Sequence, residues 1–265
     1  MSFKFDFITV GDNCIDRFEG LGRQELVGGN AVNVAAQLAL LGHRVAYFGA
    51  IGDDDDGRLI LSVLRGIGVC TDHIRVVNAP TAYSLVRHDQ TGDRDIYFEE
   101  FGASKDYFPT KEEVEILKSA KHVHIGWLSD RSSLNTELSR GNCTVSRDLS
   151  VNARPEDLDP NHLDIAVLSA GSASQAEEHA NGLIRSGAGL AIVTMGAEGS
   201  LAFDGEGITS LEAQMIDPVD TTGAGDAFIA GFLSEYSRSG SIQASLVCGR
   251  ETATQACLHI GGFPQ

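Results

Sequence analysis

Asp220-Thr221-Thr222-Gly223-Ala224-Gly225-Asp226 is the segment whose residue types are best arranged for chemistry. Three small residues, Gly223, Ala224 and Gly225, stand ahead of an apolar run over 227–236, which predicts a turn entering a helix. Small residues there leave the first backbone N–H groups open to a ligand, and the helix dipole favours negative charge at that end. A phosphoryl group is the natural occupant. A carboxylate at Asp226 stabilises the helix but repels an anion bound at the same end. A catalytic role resolves that tension. An aspartate beside a phosphate-binding turn can take the proton of an alcohol as it attacks a phosphoryl group, while the N–H groups stabilise the developing charge. Taken alone, the segment reads equally as an ordinary glycine-rich helix start with an acidic first turn.

Other polar groupings lie far from this one in sequence. In Gly28-Gly29-Asn30-Ala31-Val32-Asn33, paired glycines let the backbone approach a polyol, and the carboxamides of Asn30 and Asn33 can exchange hydrogen bonds with its hydroxyls. N-capping by Asn30 is the bland alternative. Asp12, Asn13 and Asp16 follow the first strand-like run, where ligands of α/β proteins bind, although Asp12 and Asn13 also suit a turn. The run Asp53 to Asp56 predicts capping of the following helix rather than a metal site. His122 and His124 alternate on a strand just before Gly126 and Trp127. Packing at the strand end is the default there over metal ligation or substrate stacking.

The elements that must position these residues follow a β/α rhythm. Strands are expected over 5–11, 44–50, 122–126, 143–148, 164–169 and 189–194. Helices are expected over 30–41, 57–67, 224–237 and 241–259. Residues 213–219 also read as strand-like. Two β-rich runs, 81–88 and 94–99, are joined by Gln90-Thr91-Gly92-Asp93 with no helix between, which predicts a hairpin projecting from the main layer as a lid. A second hairpin, 200–204 with 207–211, should close one sheet edge. The expectation is a single domain over 1–265, a three-layer α/β/α sandwich with a mostly parallel sheet. A small β lid is drawn from about 14–27 and 76–102.

Of the 265 residues, 42% are hydrophobic and 22% charged, a globular balance, and the formal net charge is −17. That charge, with no basic run to offset it, argues against nucleic acid as a partner but not against a nucleotide held by backbone N–H groups and Mg²⁺. Five scattered cysteines form no C-x-x-C pair, so neither a disulfide framework nor a zinc site is expected. The absence of a signal-like start or a long apolar span predicts a cytoplasmic protein without membrane contact. No Walker A or protein-kinase signature occurs, so phosphoryl transfer would need another scaffold. No G-x-G-x-x-G follows the first strand, which argues against a nicotinamide dehydrogenase.

The D-T-x-G-A-G-D segment resembles the C-terminal signature of the ribokinase-like (PfkB) carbohydrate kinases, and G-G-x-x-x-N resembles their N-terminal pattern. The resemblance spans nearly the whole chain. It implies Asp226 as catalytic base and Gly223, Ala224 and Gly225 as the anion hole. Asp16 takes the place of the family's substrate-hydroxyl aspartate, with Asp12, Gly28, Gly29, Asn30 and Asn33 as further sugar-side candidates. Thr194, Gly196 and Gly199 resemble the T-x-G-x-x-G nucleotide element, and Thr222 and Gly225 complete the implied nucleotide contacts. Asp220 and Thr222 are implied ligands of a monovalent cation such as K⁺. ATP and Mg²⁺ are the implied cofactors.

One departure stands out: Ser169-Ala170-Gly171-Ser172 replaces the family's N-x-x-E, which is linked to Mg²⁺ and phosphate. Within the family, the G-D-N-C-I-D opening, the G-G-N-A-V-N helix start and Ser169 look most like kinases of fructosamines such as fructoselysine. The implied reaction is phosphorylation of O6. Alternatives are a kinase for a simple ketose, ribose or nucleoside, or a sugar-binding protein without turnover. Specificity should lie in lid and pocket side chains such as Tyr83, Arg87, Tyr97 and Glu99. Free lid edges offer a route to a homodimer.

Overall fold

The computed structural model describes residues 4–18, 24–88, 94–151, 154–170 and 172–265. The main sheet is built around β1 (Phe7–Val10), β4 (Val45–Gly52) and β8 (His122–Ile125), with β5 (Ile74–Val77) outside β4. On the other side follow β9 (Thr144–Asp148), β10 (Ile165–Ser169) and β11 (Leu190–Thr194). The spatial order is β13-β12-β11-β10-β9-β8-β1-β4-β5, where β12 is Ser200–Phe203 and β13 is Ile208–Leu211. Pairing is parallel from β11 through β5, and the β12–β13 hairpin is antiparallel at the edge, as expected.

Alternate side chains of the strands feed two cores, which makes three layers. Ile8 and Val10 of β1 join a core covered by α3 (Lys111–Leu117), α4 (Ser133–Leu138) and α5 (Ala173–Arg185). Phe7 points the other way, into a core with α1 (Asn30–Leu40), α2 (Asp55–Gly66), α6 (Ala224–Ser239) and α7 (Ile242–Ala256). Asp54 caps α2 by accepting from Gly57 N at 2.8 Å, so the aspartate run serves the helix start as expected. The same carboxylate accepts from Thr81 N and Thr81 Oγ1. His122 and His124 are buried, both hydrogen-bonded to Ser146 Oγ, and burial pushes each imidazole down to about 3. They are neutral packing residues.

A second sheet has the order β3-β2-β6-β7, formed by β2 (Cys14–Phe18), β3 (Gln24–Gly28), β6 (Tyr83–His88) and β7 (Arg94–Glu100). β6 and β7 pair antiparallel, so the projecting hairpin is present; its turn, 90–93, lies outside the described residues. β2 and β6 are parallel neighbours. β7 is an outer strand and carries exposed Ile96, Tyr97 and Phe98.

One expected strand is absent: 213–219 forms no strand, and Met215 and Val219 are exposed. The chain leaves the sheet where β13 ends at Leu211 and crosses to α6 without pairing. Beneath the sheet's carboxyl ends, Arg147 of β9 is wholly buried. It donates to Asp130 Oδ1 and Leu128 O, each at 2.7 Å, and to Asn135 Oδ1 at 3.2 Å. Among the described residues no helix is long and apolar enough to cross a membrane.

Candidate functional site

The site is assembled where the parallel strands end and two helices begin. Gly29, with φ 104°, breaks the chain between β3 and α1; a Cβ there would sit 2.6 Å from Asn13 Cα. Asp12, just past β1, accepts from the first two backbone N–H groups of α1, Asn30 N at 2.9 Å and Ala31 N at 3.0 Å. Asn13 is turned inward, donating to Tyr47 Oη and Ala50 O. Asp12 therefore anchors the helix start, and Asn13 is structural.

Asn30 and Asn33 share one face of α1 through their i,i+3 spacing, and that face meets the first turn of α6. Asn30 Nδ2 donates to Asp226 Oδ1 at 2.6 Å, and Asn33 Nδ2 donates to Asp226 Oδ2 at 2.7 Å. The second hydrogen of Asn30 Nδ2 goes to Asp148 Oδ2 at 2.9 Å. The amide oxygens of both asparagines face glycines: a Cβ on Gly126 would lie 2.5 Å from Asn30 Oδ1, and Gly262 closes over Asn33. The two carboxamides, expected to face a polyol, grip the aspartate here.

Three carboxylates converge here, and their proton affinities reflect it. Burial pushes Asp226 up to about 7, reinforced by repulsion from Asp148 and Asp12 and opposed by the hydrogen bonds from Asn33 and Asn30. Burial pushes Asp12 up to about 6 against its helix-capping bonds, and Asp148 is raised for the same reason. Sequence reasoning missed Asp148. It sits at the end of β9 with no motif around it, and only its position beside β8 at the sheet's carboxyl edge could have flagged it.

The glycine turn has the expected form. Gly223 is the N-cap of α6 with φ 69°, and a Cβ on it would lie 2.5 Å from Gly262 Cα. Ala224 N donates to Thr221 O and Ala227 N to Gly223 O. Among the described residues, no backbone acceptor meets the N–H of Gly225 or Asp226 outside the helix itself, and Gly225 is exposed. An anion can approach there. Asp220 ties the turn down: Oδ1 accepts from Thr222 N and Thr222 Oγ1, and Oδ2 accepts from Gly261 N.

Asp16 lies across the site on the small sheet, buried, accepting from Ser84 Oγ and from Cys14 Sγ. Its Oδ2 faces Gly28, where any side chain would collide with it. On the other flank, Thr194 ends β11, and Gly196 (φ 57°) and Gly199 (φ 105°) shape the turn after it. β11 is two strands from β9 and Asp148 is level with Ile192, so Thr194, two residues further on, stands roughly 12 Å from Asp148 at about 4.8 Å per strand and 3.3 Å per residue. Of the segment in place of N-x-x-E, Gly171 lies outside the described residues, and Ser169 N donates to Ser150 Oγ. The carboxylate brought beside it is Glu198, which accepts from Ala173 N at 2.9 Å. No group of three or more histidine, cysteine or acidic side chains among the described residues is placed to hold a metal.

This layout of a doubly covered parallel sheet, a small β-sheet flanking its carboxyl end, and an aspartate at an open helix N-terminus defines a ribokinase-like small-molecule kinase. The sequence matches the description "pfkB family carbohydrate kinase" over residues 21–148 and 158–263. The chain belongs to the pfkB family and is a carbohydrate kinase. It is 30% identical to fructoselysine 6-kinase of Shigella flexneri over 261 residues, 96% of this chain and 98% of that protein. It is 30% identical to fructosamine kinase FrlD of Bacillus subtilis (strain 168), covering 97% of this chain and 92% of that one. The solved structure of Arabidopsis thaliana ribokinase with ribose and ATP superposes with a TM-score of 0.87 at 24% identity, covering 98% and 96% of the two chains.

Proposed function

We propose that the protein transfers the γ-phosphoryl group of ATP to O6 of a fructosamine such as fructoselysine, with Asp226 as general base. The observation that carries the mechanism is the grip of Asn30 and Asn33 on Asp226 at the first turn of α6. The substrate class is supported by the near full-length similarity to a fructoselysine 6-kinase and a fructosamine kinase.

In this reading, Asp226 takes the O6 proton as O6 bonds to the γ-phosphorus and the bond to the β–γ bridging oxygen breaks. ADP and the 6-phosphate leave. The two asparagine N–H donors orient both carboxylate oxygens and favour their ionised form, while burial keeps the group basic. The N–H groups of Gly225 and Asp226, at the positive end of the α6 dipole, stabilise charge on the transferring group. Asp16, held by Ser84, is the candidate ligand of sugar hydroxyls from the small sheet. The turn over Thr194, Gly196 and Gly199 would receive the nucleotide, at a separation that the triphosphate can bridge.

Beside the turn at Thr194, Glu198 would be the candidate carboxylate to hold Mg²⁺, through water. When bound, Mg²⁺ neutralises charge on the β- and γ-phosphates. Both oxygens of Asp220 are occupied by N–H and O–H donors, and we assign no step to a monovalent cation.

The test is coupled ADP release with Mg²⁺–ATP across fructoselysine, fructose, ribose and adenosine. Turnover is expected with fructoselysine, and Asp226→Asn should lower kcat by about 10²–10⁴-fold. Turnover with another sugar alone would refute the substrate. Full activity in Asp226→Asn would refute the base.

A further inference from the structure

A cavity of about 290 Å³ lies beside the site and takes no part in the chemistry above. Its walls come from three separate connections: Phe101 and Lys105 after β7, Trp127 after β8, and Arg154 after β9. Phe101 and Trp127 stack with ring centroids 4.6 Å apart, giving one apolar wall. Lys105 and Asp106 are exposed at the cavity, and among the described residues neither side chain has a hydrogen bond or ion pair. Arg154 is fixed from below, Nη1 donating to Ser129 Oγ at 3.0 Å, and Ser129 in turn donates to buried Asp157.

The cavity borders the sugar site through the backbone. Trp127 O lies 2.7 Å from where a Cβ on Gly11 would be, immediately before Asp12. Ser104, the neighbour of Lys105, exchanges hydrogen bonds with Asn13 N and O. A sugar lying over Asp12 with O6 at Asp226 has its C1 at the far end of its carbon chain. A substituent on C1 is therefore free to leave the sugar site toward another compartment. In a protein of net charge −17, this cavity gathers two cationic side chains, Lys105 and Arg154, against exposed Asp106 and a buried Asp157 that accepts from Ser129 and Arg131 N. An aromatic wall with both signs of charge beyond it matches an aliphatic chain ending in a zwitterion.

We infer that this cavity is the subsite for the amino-acid portion of a fructosamine. The methylenes lie on Phe101 and Trp127, the α-carboxylate meets Lys105 and Arg154, and the α-ammonium meets Asp106. The inference rests on the fructosamine reading above and adds the residues that distinguish an amino-acid adduct from other amines.

The experiment compares two substrates sharing the same fructosyl-amine end: fructoselysine linked through Nε, and fructosyl-pentylamine, which keeps the alkyl chain and lacks the carboxylate and ammonium. Wild type should favour fructoselysine by about tenfold or more in kcat/KM. Lys105→Ala and Arg154→Ala should each lower kcat/KM for fructoselysine about tenfold through KM. Fructosyl-pentylamine should be unaffected, which also controls for misfolding. Trp127 is the sole tryptophan, so fructoselysine should change the intrinsic fluorescence of wild type, and the double variant should require a higher concentration for the same change.

Equal losses on both substrates, unchanged discrimination in the double variant, or no fluorescence response would overturn the subsite. Turnover of both fructosamines with inert Lys105 and Arg154 variants sinks the subsite alone. Turnover of a simple sugar and of neither fructosamine sinks it together with the substrate reading.

Discussion

Replacing Asn33 by alanine removes one of two donors to Asp226 and touches neither the open N–H groups of Gly225 and Asp226 nor the other gripping side chain. A hydrogen bond to a charged acceptor is worth about 1.5–3 kcal/mol, and one pKa unit is about 1.36 kcal/mol. The Asp226 carboxyl, already at about 7, should therefore rise by about one to two units. At pH 7 the ionised fraction falls from about one half to between about 9% and 1%, so the rate drops about 5- to 50-fold. The sign is that of a base: activity is present above the pKa, lost below it, and recovered on going alkaline. The assay is kcat/KM for the sugar from pH 5.5 to 9.5, with Asp226→Asn as a flat control. A loss in Asn33→Ala equally deep at pH 9.5, or a profile superimposable on wild type, would refute the claim that Asn33 tunes the base.

Asp148→Asn keeps the shape and removes a negative charge facing Asp226, so the same pH profile should move acidward by about one unit with turnover retained. Asp226→Asn should be more stable than wild type. An aspartate with a raised native pKa binds its proton more tightly when folded, so its ionisation penalty is absent below about pH 4, grows as pH rises and levels off above about 7. Urea denaturation of the two proteins at pH 4.5 and 8 should show that gap widening to a few kcal/mol, on the order of the shift. Gly223→Ala must adopt φ 69° with its Cβ 2.5 Å from Gly262 Cα. It should lower Tm by about 5–10 °C and raise the KM for ATP.

The layers and most strands of the main sheet were readable because burial on both faces writes long apolar runs into parallel strands, whereas half-exposed β5 and the short β2 and β3 carry no such run. The glycine turn was readable because φ 69° at Gly223 and the crowding by Gly262 demand glycine. The roles of Asn30 and Asn33 were half readable. Their spacing set a common helical face, but the partner of that face, Asp226, lies 193 residues beyond Asn33 and is fixed only by the packing of α1 on α6. Asp148 and the cavity of Phe101, Lys105, Trp127 and Arg154 carry no local signature at all, since each depends on which strand ends are neighbours. The false strand at 213–219 shows the converse, a pattern with no partner to pair with.

The buried Arg147–Asp130 pair constrains how this protein can change over generations. Losing either partner alone would strand a charge in the interior at a cost of about 3–5 kcal/mol, while exchanging both for well-packed apolar groups would be far milder. The two positions should drift as a unit, crossing between alternatives through a deep fitness valley. Because Arg147 directly precedes Asp148 on β9, that coupling also shelters the carboxylate facing Asp226 from piecemeal rearrangement of its strand.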